Sequence, residues 1–245
     1  YDLYKNLIKS RELRGAMDFE TVETYIVANE QGKIEQILPR ERNDAHRLIE
    51  EMMLVANTCA ADFLQKNKAP CLYRVHEPPS QDRLEKARAT LAPFGVTLPG
   101  GDSPTPGDYA KVLESIADRP DKAMIQTILL RSMQQAVYSP HNVGHFGLAY
   151  DAYTHFTSPI RRYPDLLVHR AIRGILRRRK YVPKILVEPN EADGPVQIRE
   201  IICKATPDDM KKVAHIDSWE KRGLLCSAHA RRAVEASFDV MAWLQ

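Results

Sequence analysis

Residues 155–172 read HFTSPIRRYPDLLVHRAI. Ser158-Pro159 is a cap residue followed by a first-turn proline, and Tyr163-Pro164 offers a second helix start a few residues on. A long helix is predicted from one of these two points to about Arg179. From either start, Arg161 and Arg162 stand at a helix N-terminus, where free backbone N–H groups and the positive end of the helix dipole favour an anion. Two guanidiniums there are forked donors matched to phosphate oxygens. The same pair can instead meet carboxylates and brace a packing contact, and the residues alone leave both readings open.

The charge around this stretch is local. Residues 155–180 hold eight basic side chains against the single acid Asp165, a net +7 in 26 residues within a chain whose net charge is +3. The remainder therefore sums to −4. A basic element on a slightly acidic body is the footprint of a phosphate-binding surface. Arg177–Lys180 are read more plainly, as cations complementing the end of the helix dipole.

Outward from this helix, the pattern is mostly helical. Residues 1–15 end a helix at Gly15, Met17–Val27 and Lys33–Leu38 read as a β-hairpin, and Asn43 or Asp44 caps a helix to about Leu64. Its apolar stripe is predicted to be Ala45, Ile49, Met52, Met53, Ala56, Ala60 and Phe63. A short strand at Cys71–Val75, helices over 81–92 and up to Ala117, and a helix from Pro120 to about Tyr138 follow. Residues 181–216 are rich in Pro, Glu and Lys and read as a surface excursion. Ser218–Gln245 returns to helix, with Leu224, Leu225 and Ala233 among its anchors. The fold class is α+β, mostly helical, with a small antiparallel sheet.

The 245 residues are 44% hydrophobic and 27% charged, which excludes disordered, fibrous and disulfide-stapled classes, and no apolar run approaches the length of a membrane helix. Four cysteines without a CxxC pair (Cys59, Cys71, Cys203, Cys226) read as reduced core thiols of a cytoplasmic protein. The chain opens on YDLYKNL without an initiator Met, and is expected to be a piece cut from something longer.

Two further residues are candidates. Glu50 falls at the edge of the predicted buried stripe, beside His46 and Asn57, where a carboxylate can face a cleft, whereas Glu51 is expected to point to solvent. Phe19 alternates with Glu20 and Thr21 in the hairpin strand and is either core or a stacking platform for a base. No clustered carboxylates suited to one or two Mg²⁺ ions are evident, nor HExxH, Walker, GxSxG or GxGxxG signatures. His145, in GHFGL, reads as structural.

The stretch HFGLAYDAYTHFTSPIRRYPDLLVHRAI (145–172) closely resembles the signature of the ribonuclease II/ribonuclease R family of 3′→5′ exoribonucleases, with the match nearest its bacterial ribonuclease R branch. The likeness extends to RGAMDFETVET (14–24), RNDAHRLIEEMMLVAN (42–57), residues 98–140 and, more loosely, 226–244. It implies residues 1–245 of an RNB-type catalytic domain lacking its N-terminal aspartate-bearing part, with cold-shock and OB-type domains also outside the chain. The implied activity is processive, Mg²⁺-dependent hydrolysis of single-stranded RNA to nucleoside 5′-monophosphates by a monomeric parent. The Mg²⁺ ligands would lie outside this chain, leaving it inactive alone and partnered by the N-terminal part of its own domain. By the same resemblance Arg161 is the catalytic arginine contacting the reacting phosphate, Phe19 clamps terminal bases and Glu50 contacts the terminal nucleotide; Arg162, beside Arg161 at the helix start, is expected to bind RNA with them. Residues 228–239 depart from the family's more charged helix. The competing expectation is a non-catalytic RNA-binding or scaffolding paralogue.

Overall fold

The computed structural model describes residues 2–19, 24–39, 43–178, 184–187, 198–201 and 216–243. The helices are α1 (Asp2–Arg14), α2 (Asp44–Lys66), α3 (Gln81–Leu91), α4 (Pro106–Ser115), α5 (Lys122–Ser132), α6 (Tyr163–Leu176) and α7 (Ile216–Trp243). The strands are β1 (Thr24–Ala28), β2 (Ile34–Pro39), β3 (Tyr73–Val75), β4 (Val137–Ser139), β5 (Lys184–Val187) and β6 (Ile198–Ile201). They pair two by two as three antiparallel ladders, β1 with β2, β3 with β4 and β5 with β6. The α+β, mostly helical class holds, with separate ladders where one small sheet was expected. The predicted excursion over 181–216 falls largely outside the described residues, and the helix predicted to about Arg179 ends at Leu176.

The chain divides into two compact units. The first comprises Tyr1–Val55, His76–Gln135 and Phe146–Tyr150. Its core gathers Leu84 and Leu91 of α3, Tyr109 of α4 and Ile125 and Leu129 of α5. Each such side chain contributes roughly 1.5–3 kcal/mol on burial. Helix α4 starts where Thr105 and Asp108 form a reciprocal capping box, with Pro106 in the first turn. Inside the core the Tyr109 and Ser132 hydroxyls meet at 2.9 Å, so neither is left unsatisfied. Helix α5 stops at Ser132, short of the predicted Tyr138, because Met133 turns extended and Val137–Ser139 is taken into a ladder with β3.

The second unit comprises Ala56–Val75, Ala136–His145 and Asp151–Gln245. One apolar cluster joins Ala60, Ala61 and Leu64 to Tyr73, Val168 and Ala171, and another joins Leu72, Tyr138, Leu167, Trp219 and Cys226. Helix α7 lies against β4. Gly223 permits that approach, since a Cβ there would sit 2.5 Å from the Tyr138 carbonyl oxygen.

Several predicted faces are corrected. On α2 the buried positions are Glu51, Asn57, Ala60, Ala61 and Leu64, while Ile49 is 54% exposed and Met52 is also exposed. The stripe is rotated by about one residue, roughly 100°, from the apolar one. In the first half of α2 a buried ion pair, not apolar packing, sets the inward face. On α7 the buried line is Trp219, Arg222, Gly223, Cys226 and Ser227, and the expected anchor Leu224 is 72% exposed. Ala233 is exposed as well. Within that line it is Gly223 that must be small, because the β4 backbone comes close there. Cys59 is exposed, unlike the buried Cys71 and Cys226.

Candidate nucleic-acid interface

The turn before α6 is built by buried polar side chains. Asn57 of α2 accepts hydrogen bonds from the backbone N–H groups of Phe156 (2.9 Å) and Thr157 (3.2 Å) and donates to the Tyr153 hydroxyl (2.8 Å). The Phe156 ring stacks on His169 at 4.1 Å between centroids. Asp165, fully buried, accepts from the Ser158 N–H (2.7 Å) and from Arg162 Nη2 (2.8 Å). The Arg162 N–H donates to the Ser158 carbonyl at 3.0 Å. Of the two predicted helix starts it is the Tyr163-Pro164 one that forms, with Arg162 at the N-cap. These bonds fix both ends of the segment, so Ile160 and Arg161 stand exposed on its crest.

The two arginines that sequence treats as equivalent thus differ. Arg162 meets a carboxylate and braces the turn, while Arg161 has no carboxylate partner among the described residues.

Beside this turn lies a group the sequence did not single out. Arg74 of β3 is directly opposite Tyr138 of β4, and its guanidinium sits 4.7 Å from the centre of the Tyr138 ring. The Tyr138 hydroxyl meets His155 Nδ1 at 2.8 Å. Burial, then the positive charges of Arg162, Arg74, His145 and Arg161, push the His155 imidazole down to about 3. His155 is therefore neutral at physiological pH. The available signal for Arg74 was its place in LeuTyrArgVal, a cation interrupting an apolar strand. His145 packs edge-on to Tyr153, at 5.2 Å between ring centroids, as a structural residue would.

Phe19 and Glu50 belong to the first unit. Phe19 is not in a hairpin strand, which begins only at Thr24; it lies in extended chain after α1 and packs part-buried against the apolar core. Of the two alternatives, the structure bears on the core one, since Phe19 packs part-buried against it. Glu50 is half-buried. Glu51, expected to face solvent, is 3% exposed and accepts from Arg11 Nη1 at 2.5 Å. Arg11 Nη2 also donates to the Met17 carbonyl at 2.9 Å, two residues before Phe19. The correction has a plain cause: α1 delivers a guanidinium to the face of α2 that helical periodicity assigned to water. The carboxylate of Glu51 thus fixes the chain leading to Phe19.

Among the described residues no group of three or more His, Cys, Asp or Glu side chains can hold a metal ion. The described residues do not fit a Mg²⁺ centre. No helix among them is long and apolar enough to cross a membrane.

The family model of the RNB domain matches residues 1–178. The chain belongs to the RNB-domain family. It is 46% identical over its whole length to Ribonuclease R of Escherichia coli (strain K12), of which it spans 28%. Among solved structures it resembles Mycoplasma genitalium RNase R in complex with ribose methylated single-stranded RNA, with a TM-score of 0.80 and 26% identity over 98% of this chain and 34% of that one. It also resembles the same enzyme in complex with double-stranded RNA, with a TM-score of 0.79 and 27% identity over 96% of this chain and 38% of that one. The chain thus spans about a third of each relative.

Proposed function

We propose that this chain is part of the catalytic domain of a hydrolytic 3′→5′ exoribonuclease that degrades single-stranded RNA processively to nucleoside 5′-monophosphates. The intact protein would be monomeric, cytoplasmic and Mg²⁺-dependent. The observation that carries the reading is Arg161, exposed on a turn whose two ends are tied down by Asn57 and Asp165. A guanidinium so held offers forked donors to a phosphate and neutralises charge building on its oxygens in the transition state, with little reorganisation. The family's phosphate-contacting arginine falls at this position.

The described residues offer no ligand cluster for Mg²⁺, so what this chain contributes acts on the substrate. Phe19 stacks on a terminal base, a contact worth roughly 1–3 kcal/mol. Glu50 contacts the terminal nucleotide, and Arg162 adds charge to the surface while holding the turn. The full-length protein, given 5′-labelled single-stranded RNA and Mg²⁺, should release nucleoside 5′-monophosphates stepwise from the 3′ end. Arg161→Ala should lower kcat by more than it weakens RNA binding. Binding without hydrolysis would refute the catalytic reading and leave a non-catalytic RNA-binding paralogue. Equal losses in kcat and binding would reduce Arg161 to a positioning residue.

A further inference from the structure

Three guanidiniums act on one imidazole, His155, and only one of them has an anionic partner among the described residues. Arg162 is tied to Asp165; Arg74 and Arg161 meet no carboxylate. Arg74 is part-buried, and burial works most against its charge; Arg162 adds to that, while Tyr138 and Tyr153 favour the charge. No carboxylate among the described residues pairs with this guanidinium, so a bound anion would stabilise it. Its face rests on the Tyr138 ring, which leaves the in-plane N–H donors for an acceptor.

The support beneath Arg74 is rigid. Tyr138 is held at its hydroxyl by His155 (2.8 Å) and at its backbone N–H by the Ser227 hydroxyl of α7 (2.8 Å). The Arg74 N–H in turn donates to the Tyr153 carbonyl at 2.8 Å. His155 opens the segment that ends in Arg161, so one hydrogen-bonded scaffold carries both free cations.

We propose that Arg74 and Arg161 together form a backbone-phosphate clamp for single-stranded RNA, with Arg162 bracing the turn. The pair that receives RNA is then not the adjacent pair in sequence but one cation from β3 and one from the turn. This rests on the reading of the chain as an RNA-degrading one.

The test measures binding of a single-stranded oligo(A) to the full-length protein over a range of salt concentrations. Arg74→Gln and Arg161→Gln should each weaken binding by roughly tenfold or more. Each should also lower the slope of log affinity against log salt by about 0.7, one phosphate contact on a single strand. Arg74→Lys keeps the charge and should restore the slope, which a merely structural role for Arg74 would not do. In the unmutated protein, bound RNA should shield Arg74 and Arg161 from phenylglyoxal, mapped by mass spectrometry, while the exposed Arg131 stays reactive. This footprint decides the matter even if Arg74→Gln unfolds. An unchanged slope in a folded Arg74→Gln protein, or unprotected Arg74, with Arg161 still required, overturns the clamp and leaves the exoribonuclease reading standing. Binding unchanged in both variants, with neither arginine protected by RNA, overturns the two together.

Discussion

Gly223→Ala puts the packing of α7 on β4 to a direct test, because two effects of known size oppose each other. Alanine is the better helix former by about 0.8–1.0 kcal/mol, so propensity alone predicts a more stable protein. Against that, the new Cβ would stand 2.5 Å from the Tyr138 carbonyl oxygen and 3.2 Å from its carbon. Both are backbone atoms of a strand held by β3 on one side and by the Ser227 hydroxyl, so neither can swing away as a flexible side chain would. Reaching an ordinary C···O separation of about 3.3 Å requires the helix to lift by about 0.8 Å. A gap of that size forfeits a quarter to a half of each dispersion contact across it. The contacts at stake are those of Trp219 and Cys226 with Tyr138, Leu72 and Leu167. Overpacking of this kind costs about 1–3 kcal/mol, which offsets or outweighs the propensity gain and leaves a net loss of up to about 2 kcal/mol. For a chain of this length that lowers Tm by up to about 8 °C in a thermal scan. Ala233→Gly, at an exposed position of the same helix, serves as the propensity control and should cost about 1 kcal/mol. A Gly223→Ala protein more stable than the parent by the full propensity gain would refute the close approach.

Three other outcomes are expected. Arg11→Ala strands the buried Glu51 carboxylate and should cost about 3–5 kcal/mol in urea unfolding, whereas Arg11→Met with Glu51→Leu should recover most of it; a loss below 1 kcal/mol would mean the pair is idle. His155 has its folded pKa pushed down to about 3 from 6.5, so between those values the unfolded chain binds the proton and the folded one does not. Stability is thus full above pH 6.5 and declines on acidification; the advantage of the parent over His155→Asn should shrink by up to about 2 kcal/mol from pH 7 to pH 5, and a constant gap would contradict the burial of a neutral ring. Burial pushes the Cys71 and Cys226 thiols up to about 12 and about 11, while Cys59 is exposed. Iodoacetamide at pH 8 should therefore label Cys59 first in the native protein, and equal labelling of Cys71 would show that its site is open.

Punctuation was read well from the chain. Pro164 starts α6 and Gly15 follows the end of α1, because prolines and glycines act through their own backbone and need no distant partner. The orientation of α2 and α7 was not legible. Periodicity assumes that apolar residues face inward, yet Ile49 and Leu224 face out while Glu51 and Arg222 are buried. Of the candidate residues, Arg161 lies exposed just before the α6 N-cap, next to the helix N-terminus expected for it, whereas Phe19 lay outside the strand assigned to it.

By itself the sequence determined the α+β class, the family and the concentration of positive charge between residues 155 and 180. Those follow from local composition and spacing, which are intact in an unfolded chain. Only the tertiary structure decided which of those charges is free. Asp165 neutralises Arg162 from three residues away, and Arg74 comes beside the turn through a ladder joining residues 73–75 to 137–139. A charge is available to a ligand only if folding has not already supplied its counter-ion. That is settled by what the fold brings within a few ångströms, not by what is adjacent along the chain.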